Sequence, residues 1–181
     1  MTATTASNDG HTAAGTPAQV PFVIERVFSA PPAQVFAMWT TPDQMVRWVA
    51  PPGFAMHFLR AAIQPGGGSV SCMTGMGFTM YAKAAYEEVR SPARIVYTQQ
   101  FCDEHEQVVR HPLAPTWPET MRVTAVFSEE APGRTLLQLT MEVTGDASEA
   151  EMATFVAGYG GMTMGWTAAF NQLDAVLASG E

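Results

Sequence analysis

Positive charge is scarce in this chain of 181 residues. Only 9 Lys and Arg side chains stand against 17 Asp and Glu, for a formal net charge of −8. No Lys/Arg cluster interrupts that balance, which disfavours nucleic acid and anionic membrane as partners, and membrane insertion is not expected. Cysteine is nearly absent: Cys72 and Cys102 are the only two. They are too few for a disulfide scaffold, and a reducing cytoplasm is the expected location. Long hydrophobic runs are missing too, with no stretch approaching the roughly 18 apolar residues of a membrane span. The first 20 residues hold no Lys or Arg and no apolar run, so no signal peptide is expected there. Charged residues of both signs make up only 14%, against about a quarter in ordinary domains. The surface then relies on Thr, Ser, Gln, Gly and Ala, or a partner or second copy covers apolar area. A homodimer is expected on that ground.

What is present suffices for a core. Apolar residues reach 47%, and a domain of this length buries roughly 70% of the surface its unfolded chain exposes. Residues 1–20 are mostly Thr, Ala, Ser, Asn and Gly and have little to bury, so a disordered tail is expected there and a single domain over 21–181.

The chain then reads as strands and helices in a definite order. Phe22–Phe28 is rich in branched and aromatic residues and predicts a strand. Pro31-Pro32 opens a helix with Val35, Phe36 and Trp39 on one face. Thr41, Pro42 and Gln44 have the spacing of a capping box for a second short helix, which Pro51-Pro52-Gly53 ends. Strands are predicted over 54–63, 69–74, 78–89 and 94–101. Phe78, Met80, Ala82, Ala84 and Tyr86 share one face, as do Ile95, Tyr97, Gln99 and Phe101. Residues 103–118, with Pro112, Pro115 and Pro118, predict a long loop. Met121, Val123, Ala125 and Phe127, then Leu137, Leu139, Met141 and Val143, predict a hairpin across Pro132-Gly133. Ser148 and Glu151 form a capping box for a final helix. Its apolar steps run Met152, Phe155, Val156, Tyr159, Met162, Trp166, Phe170, Leu173, Val176 and Leu177. Gly158, Gly160, Gly161 and Gly165 interrupt that series, either breaking the helix or allowing close approach of its backbone. The reading adopted is one continuous, locally weakened helix.

Several motifs in this order carry a resemblance. They are Arg26-Val27-Phe28-Ser29-Ala30-Pro31, then Trp39, Pro42, Trp48 and Pro51-Pro52-Gly53, with Val49 where a second aromatic is common. Pro65-Gly66-Gly67 follows, then Glu87 or Glu88 leading through Pro92 to Arg94-Ile95, and Gly165-Trp166 with Leu173 and Leu177. Over residues 21–179 the chain resembles the activator-of-Hsp90-ATPase-homologue-like branch of the START/Bet v 1-like (SRPBCC) superfamily. The resemblance implies an α+β helix-grip fold, with a curved antiparallel sheet of six or seven strands around a long C-terminal helix. It implies an apolar cavity between the two. Members bind lipids or other hydrophobic small molecules, some cyclise or hydrolyse polyketide-like compounds, and one branch stimulates a chaperone ATPase.

The candidate cavity residues are Phe58, Met73, Met80, Tyr97, Phe101, Met121, Met141, Phe155, Tyr159, Met162 and Trp166. The chain holds 12 methionines, and Met suits adaptable apolar surfaces. The competing expectation is that the same side chains fill a solid core. For catalysis, His57, His105 and His111 are the available bases, with Asp103, Glu104, Glu106 and Glu119 near the last two; loop histidines in solvent are the plainer reading. Arg60 and Arg122 would orient an anionic ligand only if they faced inward, and the solvent side is expected for both. Cys102-x-x-His105 with His111 is at most a partial metal set. No phosphate loop, cofactor motif or hydrolase motif is present, and no cofactor is expected. The first functional reading is a hydrophobic small-molecule binder. The alternatives are a cochaperone-like interaction module, and a cyclase or hydrolase of aromatic or polyketide-like substrates. A standalone chaperone activator is not expected, since the chain has no room for the second domain of full activators.

Overall fold

The computed structural model describes residues 20–180. The tail expected over 1–20 therefore lies, Val20 apart, outside the described residues. Seven strands and four helices follow in the order β1 (Phe22–Phe28), α1 (Pro32–Thr40), α2 (Pro42–Met45), β2 (Phe54–Ala61), β3 (Gly68–Gly75), β4 (Phe78–Arg90), β5 (Arg94–Cys102), β6 (Met121–Ala131), β7 (Arg134–Val143), α3 (Glu149–Ala157) and α4 (Tyr159–Ser179). The strands form one sheet in the order β1-β7-β6-β5-β4-β3-β2, and each neighbouring pair is antiparallel. The short helices α1 and α2 carry the chain from one edge to the other. From β2 the sheet is a simple meander back to β7. This is the helix-grip arrangement, a curved sheet wrapped around C-terminal helices.

Alternation fixes which face of each strand turns inward. In β6, Met121, Val123, Ala125 and Phe127 are buried, and in β7 Leu137, Leu139, Met141 and Val143 are buried. Their register pairs Val123 with Met141, Ala125 with Leu139 and Phe127 with Leu137. Helix α1 packs on this half of the sheet through the buried Val35, Phe36, Met38 and Trp39. Ala169, Phe170 and Leu173 of α4 and Phe155 of α3 complete the core. Each fully buried Phe or Leu contributes about 1.5–3 kcal/mol of burial free energy.

The predicted capping at Ser148 forms. Its Oγ accepts from the Glu151 N–H at 3.3 Å, and a Glu151 carboxylate oxygen accepts from the Ser148 N–H at 2.8 Å. The predicted box at Thr41 does not form, because Thr41 makes no side-chain capping bond. The Gln44 side chain is engaged elsewhere, accepting from Arg47 Nη1 at 2.8 Å. Backbone bonds from Gln44 and Met45 to the Thr41 carbonyl hold the single turn of α2 instead.

The continuous final helix is corrected to two, divided at Gly158. A Cβ on Gly158 would stand 2.7 Å from the Trp117 ring. The chain passes over that indole so closely that any side chain at this position would force the ring to shift. Gly158 keeps helical dihedrals, φ −75° and ψ −9°, so the division is a kink and not a loop. Two polar clamps hold α4 to the rest of the molecule. Arg26 of β1 pairs with Asp174 and donates to Asn171 Oδ1 at 3.1 Å. Gln172 Nε2 donates to the Ala50 and Trp48 carbonyls at 2.5 and 3.2 Å. Among the described residues no helix is long and apolar enough to cross a membrane.

Candidate functional site

Helix α1 covers β6 and β7, while the other half of the concave face, β2 to β5, lies under α4. There the large side chains do not meet. A cavity of about 320 Å³ remains between α4 and those strands, at the lower end of small-molecule pockets, roughly 300–1,000 Å³. The space has a local cause in the sequence. On the sheet, Ser69, Ser71, Ala82 and Ala84 face the cavity, and on the helix Gly165 and Ala169 face it. These small residues oppose one another, so neither wall fills the gap. Around them stand Met56, Phe58, Met73, Met80, Phe101 and Met162.

The back of the site is aromatic. Trp166 stacks on Trp39, with ring centres 5.9 Å apart and planes 11° apart, and Trp39 lies 4.9 Å from Trp48. Trp48 is fully buried and its indole N–H donates to the Met38 carbonyl at 3.0 Å. The Trp39, Trp48 and Trp166 motifs, far apart in sequence, thus form one cluster. The Trp166 indole N–H points at Met141 Sδ, 3.3 Å away.

Of the eleven residues named from sequence, Phe58, Met73, Met80, Tyr97, Phe101, Met162 and Trp166 line this cavity. Met121 and Met141 lie in the packed core beneath strands β6 and β7, and Phe155 is fully buried. Tyr159 packs edge-on against Phe22 and Phe155, and its hydroxyl donates to the Val20 carbonyl. Those four help to build the frame and lie outside the cavity. The small residues Ala82, Ala84, Gly165 and Ala169, and the polar Ser69, Tyr86 and Gln99, were not named. The strand alternation already placed Ala82, Ala84, Tyr86 and Gln99 on the inward faces, and a search for small inward residues would have found the first two.

Among the described residues the histidines and carboxylates stand apart from the cavity. His57 and His105 are exposed, and among the described residues no histidine lines the cavity. His111 packs edge-on against Phe101, ring centres 4.7 Å apart, and its Nδ1 accepts from the Leu113 N–H. Burial lowers its pKa from the ordinary 6.5, which favours the neutral ring. Arg60 pairs with Glu106 and Arg122 with Glu87, both on the solvent side as expected. Among the described residues no three potential metal ligands converge. Cys72 and Cys102 both face Tyr81 in register, one from β3 and the other from β5. Two strand spacings of roughly 4.8 Å each separate them, beyond the reach of a disulfide.

The loop predicted over 103–118 packs against α3. Arg110 pairs with Glu151 of α3, Thr116 and Thr154 share a hydrogen bond at 2.8 Å, and Trp117 meets Phe155 edge-on. The loop is thereby pinned to α3.

A seven-stranded antiparallel sheet gripping its C-terminal helices around such a space defines a START/Bet v 1-like (SRPBCC) domain. The family model described as "Activator of Hsp90 ATPase homolog 1-like protein" matches residues 29–178, and the chain belongs to that family. Solved structures share the fold. A protein from Mycobacterium smegmatis has a TM-score of 0.73 at 21% identity, covering 88% of this chain and 91% of its own. A protein from Arthrobacter aurescens has a TM-score of 0.74 at 25% identity, covering 89% and 87%. A protein of the same family name from Silicibacter pomeroyi has a TM-score of 0.68 at 18% identity, covering 90% and 100%. No curated protein matches the sequence.

Proposed function

We propose that this protein binds a hydrophobic small molecule in the space between α4 and strands β2 to β5. The observation that carries the reading is the pairing of small residues across that space, Ala82 and Ala84 against Gly165 and Ala169, inside a ring of Met and aromatic side chains. Apolar transfer supplies the driving force, and methionine lets the wall adapt to the shape of the guest. The cavity lining among the described residues holds no histidine and no carboxylate, so no proton-transfer chemistry is part of the proposal. A cytoplasmic location belongs to the same reading, since both cysteines are free thiols.

Native mass spectrometry of freshly purified protein tests it. A retained small molecule that departs on collisional activation is the expected outcome. A clean apo mass, together with no saturable response of Trp166 to apolar probes, would overturn the reading. A second reading, an interaction module of the cochaperone kind, draws on the description of the family model and on the nearly bare Met76 at the β3–β4 tip, 85% exposed. A clean apo mass and a stable complex with a chaperone would favour it.

A further inference from the structure

The two ends of the cavity differ in chemistry. Cross-strand register sorts its lining into rows. Met56, Met73 and Met80 stand side by side, and the next row runs Phe58, Ser71, Ala82 and Phe101. Beyond these come Ser69, Ala84 and Gln99, and then Tyr86 beside Tyr97. The first two rows are apolar apart from the Ser71 hydroxyl, which is directed at the Ala82 carbonyl 3.4 Å away. Met56, Met73 and Met80 are half-buried, whereas Ser69, Tyr86 and Tyr97 are buried. Polar atoms therefore collect at the closed end, and the methionines stand toward solvent.

At that closed end hydrogen-bonding capacity is left over. Ser69 Oγ and Tyr86 Oη share a bond at 3.3 Å. The Tyr97 hydroxyl, on a residue only 8% exposed, has no hydrogen-bond partner among the described residues, and neither has the Gln99 amide. Both residues line the cavity, where an unpaired donor is free for a guest; the buried side-chain N–H left without a partner among the described residues is that of Trp39. Cationic partners are engaged elsewhere. Lys83 borders the cavity, but its ammonium donates to the Glu106 carbonyl at 3.0 Å. A carboxylate entering here would lose its hydration with no countercharge, in a protein of formal net charge −8.

We propose that the closed end is a seat for an uncharged carbonyl on an otherwise apolar molecule, with Tyr97 donating to its oxygen and the Gln99 amide beside it. The inference rests on the binding reading above and narrows its ligand class to neutral ketones, esters and similar compounds. The apolar body of the guest then lies along Phe58, Phe101 and Trp166 toward the methionines. Burial raises the Tyr97 pKa well above the ordinary 10, with Tyr86 adding to the shift, so the phenol keeps its proton and remains a donor across the physiological range.

Calorimetric titration of the full chain with three molecules of similar two-ring shape tests the seat. They are benzophenone (a ketone), diphenylmethane (its hydrocarbon analogue) and diphenylacetate (an anion). Benzophenone is expected to bind about tenfold more tightly than diphenylmethane, with diphenylacetate weakest. Tyr97→Phe removes one unpartnered oxygen and should erase the ketone's advantage while leaving the hydrocarbon within about twofold. Gln99→Leu gives a second, independent reduction of that advantage, which keeps the test decisive if the first variant folds poorly. Equal binding of ketone and hydrocarbon, an equal loss for both in Tyr97→Phe, or tightest binding of the carboxylate would overturn the seat and leave hydrophobic binding standing. Failure of all three to bind would overturn the binding reading and the seat with it.

Discussion

Glu151 shows how much one side chain near the surface can organise. Its carboxylate caps Ser148 and pairs with Arg110, so it serves the α3 N-terminus and the 103–118 loop together. The Ser148 backbone bond, and then the Arg110 bond, lower its pKa from the ordinary 4.5 to about 2. A depressed carboxylate pKa adds stability above the unfolded value, and that stability is lost as pH falls through the folded value. The midpoint difference between wild type and Glu151→Gln should therefore be constant above about pH 4.5 and close as pH falls toward about 2. Thermal melts in a pH series read this directly, and a gap that persists at low pH would count against the capping account. The glycines of the last helices give a second contrast. Nothing stands within 4 Å of a Cβ added at Gly165, whereas one at Gly158 would strike Trp117. Gly165→Ala should stabilise by about 0.5–1 kcal/mol through helix propensity. Gly158→Ala should destabilise by about 1–3 kcal/mol, through overpacking. Chemical denaturation of the two variants checks both signs.

Among the elements, α4 has the most divided role. Its Phe170 and Leu173 are fully buried on the core side, while Trp166, one turn earlier, faces the cavity and stacks on Trp39. Phe170→Ala opens a new void in close packing and should cost about 3–5 kcal/mol. Trp166→Ala removes a ring beside a space that already exists, so about 1–2 kcal/mol is expected from transfer alone. Equal losses for the two variants, measured by urea unfolding, would mean that the wall at Trp166 is solid core. An apolar ligand should also shift the tryptophan emission of wild type more than that of Trp166→Phe.

For the whole molecule, the low charged fraction of 14% leaves a surface with few repelling groups, and we propose a homodimer. Light scattering at tens of micromolar should return twice the chain mass, and a purely monomeric mass would count against it. At this scale the helix-grip fold was legible because its strands and the apolar stripe of its C-terminal helices declare themselves locally. The alternation in 121–127 and 137–143 and the Ser148–Glu151 box need no distant partner to be read. The Thr41 box misled because Gln44 had a rival partner in Arg47, which spacing does not reveal.

By itself the sequence determined the order of elements, the inward face of each strand and the apolar stripe of α4, since these follow from periods of 2 and 3.6 residues. Only the tertiary structure decided where along the concave face the space would open. Period tells which way a side chain points, not what lies opposite it. Met121 and Met141 point inward as read, but α1 packs over their strands and that half is filled. Tyr97 and Phe101 point inward as well, and they face the cavity because Gly165 and Ala169 arrive above the Ala82 and Ala84 side of the sheet. The kink at Gly158 belongs with these tertiary decisions, because it depends on Trp117, some forty residues earlier in the chain, passing within contact of that one backbone position.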